Sequence, residues 1–465
     1  MGKFFGSPWP YLVGALLLVA LYAGGYFAHR DVDPRPIAGP EALATLAERD
    51  DLNVLFVLID TLRAHRLGAY GYERETSPHI DRLAASGIRF ARQLSQSSWT
   101  KCSMASLWTG LYPVRSGVVR HGHALPEEAL LPAEIFREAG YRTAALWRNG
   151  WVAPNFGFGQ GFELYMRPKP LPVPASVRRE NPSIRLEGTD GDIFYSAREF
   201  LRQHGRERWF LYLHMMDVHQ FVYDAESALF GSGYSDVYDN SIHFVDRVIG
   251  FLLAELDERG LRDRTLVVVA ADHGEAFGEH GREGHARDIY GEVTEVPFIV
   301  SPPFRLDPGI VVETPSANVD IWPTLLDLLG LPPLEDPDGR SLLPEILAVA
   351  DGAGDRDAEA SRFAYLDLTW GQTKREPHPL VSVSSGRYRF FHQPTKPESS
   401  ELYDHEADPR EQHDIAAEQP EVAARLREEA EAHLESDPAP WGEASVVELD
   451  DMMLNQLRAL GYKIE

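Results

Sequence analysis

A mostly parallel α/β fold, its central sheet flanked by helices and followed by a small C-terminal subdomain with an antiparallel sheet and a helix, is predicted by three observations. Strand-length apolar runs alternate with stretches of helical spacing over most of the chain, and that alternation implies a parallel sheet covered on both faces. Two of the runs end in metal-binding residue types: 53–60 ends in Asp60, and 265–271 leads into Asp272 and His273. Open α/β sheets bind ligands at the carboxyl ends of their strands. After about residue 355 the runs shorten and alternate with turns, as antiparallel sheets do.

In chain order, 53–60 is a continuous apolar run of strand length and reads as a strand buried on both faces. Residues 78–87 and 103–111 read as helices, and a short helix at 133–140 precedes a strand at 141–146. Residues 166–190 are rich in Pro, Arg and Glu without periodicity and read as a loop capping the site. A helix at 191–204 leads to a strand at 209–215, which carries His214, Asp217 and His219 at and beyond its end. Ile242, Val245, Val248, Ile249 and Leu252 recur at helical spacing and place a helix over 240–259. The strand at 265–271 follows, then a strand at 296–301 and a helix within 316–330. In the C-terminal part, 380–383 and 388–391 are strand-like, and 418–434 is a charged helix with a solvated face.

The 465 residues suffice for one main domain and a smaller one. A formal net charge of −26 argues against a nucleic-acid partner, which needs basic surface. A small anionic substrate stays compatible with it, because a bound cation reverses the local field. The single cysteine, Cys102, forms no intrachain disulfide. Residues 11–28 are apolar and uncharged, close to the ~20 residues of a spanning helix. No small-residue cleavage site follows, so 1–30 is expected to be an uncleaved membrane anchor that holds the body outside the cytoplasm, periplasmic or extracellular. A cleaved signal peptide is the alternative. Prolines at 34, 36 and 40 mark 31–50 as a linker. The main domain then covers 51–350 and the subdomain 351–465.

Thr100 lies in a Ser/Thr-rich turn, Ser97-Ser98-Trp99-Thr100, before a helix whose N-terminus favours an anion. Asp60, Asp272, His273 and Thr100 together supply two carboxylates, an imidazole and a hydroxyl, the parts of a divalent-metal site with an activated nucleophile. Read as plain structure, Thr100 is a helix N-cap, Asp60 a strand-end cap and Asp272-His273 a surface turn. The apolar strand feeding each acid argues against the last two.

Further motifs follow in order: Asp60-Thr61-Leu62-Arg63, Gly68-Ala69-Tyr70-Gly71-Tyr72, Thr76-Ser77-Pro78-His79-Ile80-Asp81, Ala105-Ser106-Leu107 with Thr109-Gly110 and Tyr112-Pro113, and Asp272-His273-Gly274-Glu275 with His280-Gly281 and Gly284-His285. Later come Asn318-Val319-Asp320-Ile321-Trp322-Pro323-Thr324, Asp338-Gly339-Arg340-Ser341-Leu342 and Glu401-Leu402-Tyr403-Asp404 with Ala407-Asp408-Pro409. In this order and spacing the chain resembles the sulfatase branch of the alkaline phosphatase superfamily, over roughly residues 51–465. The resemblance implies an alkaline-phosphatase-like fold and a metal-dependent ester hydrolase.

In formylglycine-forming sulfatases the nucleophile is a Cys or Ser followed by x-Pro-x-Arg. The family nucleophile lies nine residues before the Thr that matches Thr109, which is Thr100, and Cys102 falls on the proline. Reading from Cys102 instead puts Met104 and Ser106 where Pro and Arg belong. Threonine does not form formylglycine. Its hydroxyl can still attack phosphorus, and water or an acceptor alcohol then releases the phosphothreonine. A sulfothreonine lacks the exit that an aldehyde hydrate provides. The expected substrates are therefore phosphate or phosphonate esters ahead of sulfate esters, on a small molecule, a lipid headgroup or a glycan. Lipoteichoic-acid synthases and phosphoethanolamine transferases also use Thr, so transfer of a phospho-headgroup to a lipid or glycan is one alternative. An inactive binding homologue is the other.

The resemblance implies Asp60, Asp272 and His273 as ligands of one divalent metal, with Thr100 completing the shell. Thr61 stands where formylglycine sulfatases carry a second Asp, and the family's Asn is often His, as at His273. One carboxylate fewer and one imidazole more favour Mn²⁺ or Zn²⁺ over Mg²⁺ and Ca²⁺. His219, His285 and Arg148 are implied substrate contacts. His219 ends the segment that begins at Leu213. His285 lies where sulfatases often carry a Lys, and would hold a substrate oxygen or protonate the leaving group. Arg148 falls at another family Lys position and would clamp an anionic oxygen. Asn149 and Gly150 replace that segment's aromatic residue and His. His280 is expected to support its loop, Asp217 with His219 fits a second metal poorly, and His121 and His123 are expected in solvent. Trp99 and Trp108 are expected to pack.

Overall fold

Asn53–Ile59 (β1) is buried along its whole length because it has a parallel neighbour on each side and a core on each face. Val54, Phe56 and Leu58 enter one core, while Leu55, Val57 and Ile59 enter the other, the two-residue alternation of a strand. The computed structural model describes residues 33–182, 188–352, 360–369, 371–372 and 375–448. The expected anchor at 1–30 lies outside these residues. Among the described residues no helix is long and apolar enough to cross a membrane.

The central sheet has eight strands. Besides β1 they are Ile88–Phe90 (β2), Arg142–Trp147 (β3), Leu164–Met166 (β4), Trp209–Met215 (β5), Thr265–Ala270 (β6), Phe298–Ser301 (β7) and Ile310–Val312 (β8). Their order is β8-β2-β7-β6-β1-β5-β3-β4. Only the pairings made by β7 are antiparallel; the others are parallel. The sheet is thus mostly parallel, as expected. β2, β4 and β8 are three residues long, too short to leave a periodic signal.

Helices cover both faces. Pro78–Ala85 (α1), Asp190–His204 (α3) and Tyr234–Glu258 (α4) pack on one side. Thr100–Thr109 (α2) and Ile321–Leu328 (α5) pack on the other, where Trp322 stacks between Phe56 at 4.9 Å and Trp108 at 5.2 Å. Trp108 packs as the sequence suggests. Within the segment read as an unstructured cap, Ala175–Glu180 is helical and Val177 is buried against Val222, Tyr223 and Phe244.

The stretch read as a linker carries structure of its own. Pro40–Glu48 forms a 3₁₀ helix whose Leu43 and Leu46 are buried in the core. The prolines that suggested a linker stiffen the approach, while one i,i+3 leucine pair fastens it.

Arg362–Asp367 (β9), Pro379–Ser385 (β10), Tyr388–His392 (β11) and Glu401–Asp404 (β12) form a four-stranded antiparallel sheet. Pro420–Leu434 (α6) lies against it and buries Ala423, Leu426, Ala430 and His433. Beyond α6 the chain returns to the main domain, where Ser445–Val446 pairs antiparallel with His123–Ala124.

Candidate active site

The carboxyl ends of β1 and β6 are adjacent, so Asp60 and Asp272, each just past its strand, meet at the sheet edge. One ligand atom each from Asp60, Asp272 and His273 lies within 4.8 Å of the others. All three side chains are fully buried. Their remaining bonds decide which atoms stay open. Asp60 Oδ2 accepts from Asn149 Nδ2 at 2.6 Å and faces His214 Nε2 at 3.0 Å. Asp60 Oδ1 is buried without a hydrogen-bond partner among the described residues. Asp272 Oδ1 accepts from the backbone N–H of His273 at 2.9 Å and of Thr61 at 3.2 Å, and Asp272 Oδ2 has no partner among those residues. Buried carboxylate oxygens without donors are costly unless a cation meets them.

His273 completes the set. Its Nδ1 is 2.9 Å from the carbonyl of Gly274. A carbonyl only accepts, so Nδ1 carries the proton and Nε2 the lone pair, the form that binds a metal. Nε2 lies 3.5 Å from Asp272 Oδ2 and 3.9 Å from Asp60 Oδ1. The residues present therefore fit one divalent cation. Burial alone would raise the Asp60 carboxyl, but His219, His214 and His273 together hold it well below the usual range. Burial and the neighbouring Asp60 raise Asp272.

Thr100 is the first residue of α2. Its Oγ1 is 3.2 Å from His273 Nε2 and accepts from Asn149 Nδ2 at 3.3 Å. Asn149 Oδ1 accepts from the backbone N–H of Trp151 at 2.8 Å, which fixes the amide's orientation. Thr61 adopts a left-handed backbone at φ 62°, a strained conformation for a β-branched residue. Tyr238 donates to its carbonyl at 2.6 Å. The turn presents the Thr61 backbone N–H, not its side chain, to Asp272.

His285 and His219 line the same site, their rings 5.0 Å apart, with His285 4.7 Å from the ring of His273. Burial pulls His285 down, but Glu275, 2.9 Å from its Nδ1, with Asp60 and Asp272, more than offsets this and holds it above its ordinary value. Burial brings His219 down to about 4 against the pull of Asp60. Arg148 is placed otherwise than expected. Its Nη1 meets Asp190 and Asp217, each at 2.6 Å, and Nη2 donates to Gly188 O at 2.9 Å and Gln220 at 3.0 Å. The guanidinium thus ties α3 and the end of β5 together instead of presenting a free fork to an anion. Asp217 is committed to that pairing as well.

The loop histidines correct the sequence reading. His121 is 7% exposed, its ring between Trp99 at 5.5 Å and Trp151 at 5.1 Å; His123 is half-buried. Both carbonyls accept from Lys101 Nζ. Lys101 is fully buried, 4.1 Å above the Phe156 ring, and burial drives its pKa well below the ordinary value. His280 supports its loop as expected, through Glu292 at 2.8 Å and the carbonyl of Glu411 at 2.7 Å. Lys101 gives no sequence signal, because a lysine in a helix is ordinarily solvated. His214 gives one: two residues after Tyr212 on one strand, it shares that residue's face, and Tyr212 donates to His214 Nδ1 at 2.7 Å.

Comparison with known proteins identifies the family. Residues 52–331 match the Sulfatase family model, and residues 278–436 match that of the N-sulphoglucosamine sulphohydrolase C-terminal region. The ulvan-active sulfatase of Formosa agariphila is 26% identical over 437 residues, covering 84% of this chain and 82% of that protein. Human arylsulfatase A is 27% identical over 403 residues, 75% of this chain and 77% of its own length. The structure of the phosphonate monoester hydrolase of Agrobacterium radiobacter superposes with a TM-score of 0.63 at 20% identity, covering 86% of this chain and 98% of that one. With a family model spanning more than half its length, the chain belongs to the sulfatase family and is a sulfatase-like hydrolase.

Proposed function

We propose that this chain is a metal-dependent ester hydrolase with Thr100 as nucleophile, acting on phosphate or phosphonate esters ahead of sulfate esters. The observation that carries this reading is the placement of Thr100 Oγ1 at a helix N-terminus, 3.2 Å from His273 Nε2, beside carboxylate oxygens with no hydrogen-bond partner among the described residues. A divalent cation held by Asp60, Asp272 and His273, with Thr100 in the same shell, would acidify the hydroxyl and neutralise the nonbridging oxygens. Two carboxylates with an imidazole suit Mn²⁺ or Zn²⁺.

Asn149 holds Oγ1 in place, and the N-terminus of α2 favours the anionic group in front of it. Thr100 gives its hydroxyl proton to solvent, and Oγ1 attacks phosphorus as the bond from phosphorus to the leaving alcohol breaks. His285, gripped by Glu275, gives the departing oxygen its proton, and His219 beside it contacts the ester. Water then attacks the phosphothreonine while His285 takes a proton from it. The bond from phosphorus to Oγ1 breaks, Thr100 takes its proton back from solvent, and His285 is again protonated for the next cycle.

A second reading, sulfate-ester hydrolysis, is favoured by the matched relatives, an ulvan-active sulfatase and an arylsulfatase A. Against it stands the chemistry of threonine, which offers no aldehyde-hydrate route for expelling sulfate. The apolar run at 11–28 supports a membrane-tethered, extracytoplasmic placement.

The test is turnover of matched aryl phosphate monoester, phosphodiester, phosphonate and sulfate esters by protein loaded with Mn²⁺ or Zn²⁺, for wild type and Thr100→Ala. Phosphorus-ester turnover that vanishes with Thr100 is expected. Turnover of sulfate alone, or full activity in Thr100→Ala, would overturn the reading.

A further inference from the structure

A cavity of about 290 Å³ lies between the main domain and the C-terminal subdomain, and its lining includes none of Asp60, Thr100, Asp272 or His273. The turn after β1, the end of β2 and the β10–β11 hairpin all contribute walls. Its lining holds the guanidiniums of Arg89, Arg92 and Arg389, with the imidazoles of His65 and His405, against one carboxylate, Glu295. In a chain of net charge −26 this inverts the prevailing sign.

The one acid is already met. Glu295 sits between His65 Nε2 at 3.0 Å and His405 Nε2 at 2.7 Å. The arginines are held in place. Arg389 is 1% exposed, with Nη1 3.1 Å from Glu411 and Nη2 donating to Ile289 O at 2.7 Å. Its Nε is buried without a hydrogen-bond partner among the described residues. Arg89 lies 5.1 Å over the ring of Tyr70, and Arg92 is fastened through Nε and Nη2 to the carbonyl of Glu313. Guanidiniums fixed before a ligand arrives lose little freedom on binding it; with Arg389 Nη1 and Nη2 and Arg92 Nε and Nη2 taken up by the protein, Arg389 Nε and Arg92 Nη1 remain as charged donors for an oxyanion.

We propose that this cavity is a second anion site, which takes a sulfate or phosphate group, either free or carried on a molecule no larger than a monosaccharide. The volume sets the size limit, since pockets for larger ligands run from about 300 to 1,000 Å³. The proposal does not depend on which ester the Thr100 centre hydrolyses.

Two measurements test it. Crystals of the full chain soaked in selenate or tungstate should show an anomalous peak between Arg89, Arg92 and Arg389. Calorimetry on chelator-treated Thr100→Ala protein, which silences the first site, should detect binding of inorganic sulfate, inorganic phosphate or glucosamine 6-sulfate. Adding Arg89→Gln and Arg92→Gln, both at partly exposed positions, should weaken that binding at least tenfold without lowering Tm. Equal affinity for the inorganic ions and the sugar ester identifies the free anion as sufficient. At least tenfold tighter binding of the ester identifies the carried group. An anomalous peak confined to the Asp60 centre, or affinity unchanged in the glutamine variant, overturns the proposal.

Discussion

Asn149 donates to Asp60 Oδ2 at 2.6 Å, and the same nitrogen lies 3.3 Å from Thr100 Oγ1. One amide thereby ties Asp60, the proposed metal ligand, to Thr100, the proposed nucleophile, and leaves Asp60 Oδ1 open. Asn149→Leu, similar in volume but without the donor, is expected to lower kcat by about 10- to 100-fold with KM little changed, as for loss of an interaction that matters in the transition state. A rise in KM alone would place Asn149 in substrate binding instead.

Metal loading should be visible in stability as well as activity. A ligand that binds only the folded state at a hundred times its Kd adds about 2.7 kcal/mol. Mn²⁺ or Zn²⁺ added to chelator-treated protein should therefore raise Tm in a concentration-dependent way. Asp60→Asn should flatten that dependence, because it removes a charged oxygen that has no hydrogen-bond partner among the described residues. Calorimetric melts across a metal titration check both.

Arg148 is expected to matter for folding first. Removing one partner of a buried ion pair costs about 3–5 kcal/mol, and Arg148→Gln leaves Asp190 and Asp217 facing each other. Urea unfolding should show that loss. The folded fraction of Arg148→Gln should retain far more ester turnover than Thr100→Ala.

His280 carries a pH signature. Burial lowers it, but Glu292 and the Glu411 carbonyl outweigh this and raise it from 6.5 to about 9. A raised imidazole stabilises the fold fully below its unfolded value and loses that contribution as pH climbs through the folded one. His280→Gln should cost on the order of 1 kcal/mol at pH 6, after allowance for solvent screening of this half-buried group, and nearly nothing at pH 10. Equal losses at both pH values would mean that packing on Tyr290, 3.8 Å away, is its whole contribution.

Cys102 should be inert. Burial pushes its thiol up to about 12, so iodoacetamide at pH 8 should leave the native protein unlabelled and label it after unfolding. Cys102→Ala should keep activity and cost about 1 kcal/mol, since it deletes one small buried group.

Much of this site was legible because two long apolar strands, β1 and β6, lead directly into the candidate metal ligands. Asp60, Asp272, His273 and Thr100 come together as their motifs imply. What escaped sequence reading has physical causes. Arg148 carries the residue type of an anion clamp, and only the chain crossing at Asp190 reveals its pairing. His121 stands beside Gly122 in a loop that reads as solvated, yet Trp99 and Trp151 close over it. Leu43 and Leu46 hide among prolines, and three-residue edge strands such as β8 have no periodicity to read. Long-range packing decides each of these, and local spacing does not record it.

The pairing of Ser445–Val446 with His123–Ala124 bears on how the protein should be expressed. The carbonyls of His121 and His123 grip Lys101, the neighbour of Thr100, so this late strand buttresses the floor beneath the nucleophile. The match to the C-terminal family model ends at residue 436. A gene trimmed at that point would keep every residue assigned to chemistry and still lose the brace that steadies them.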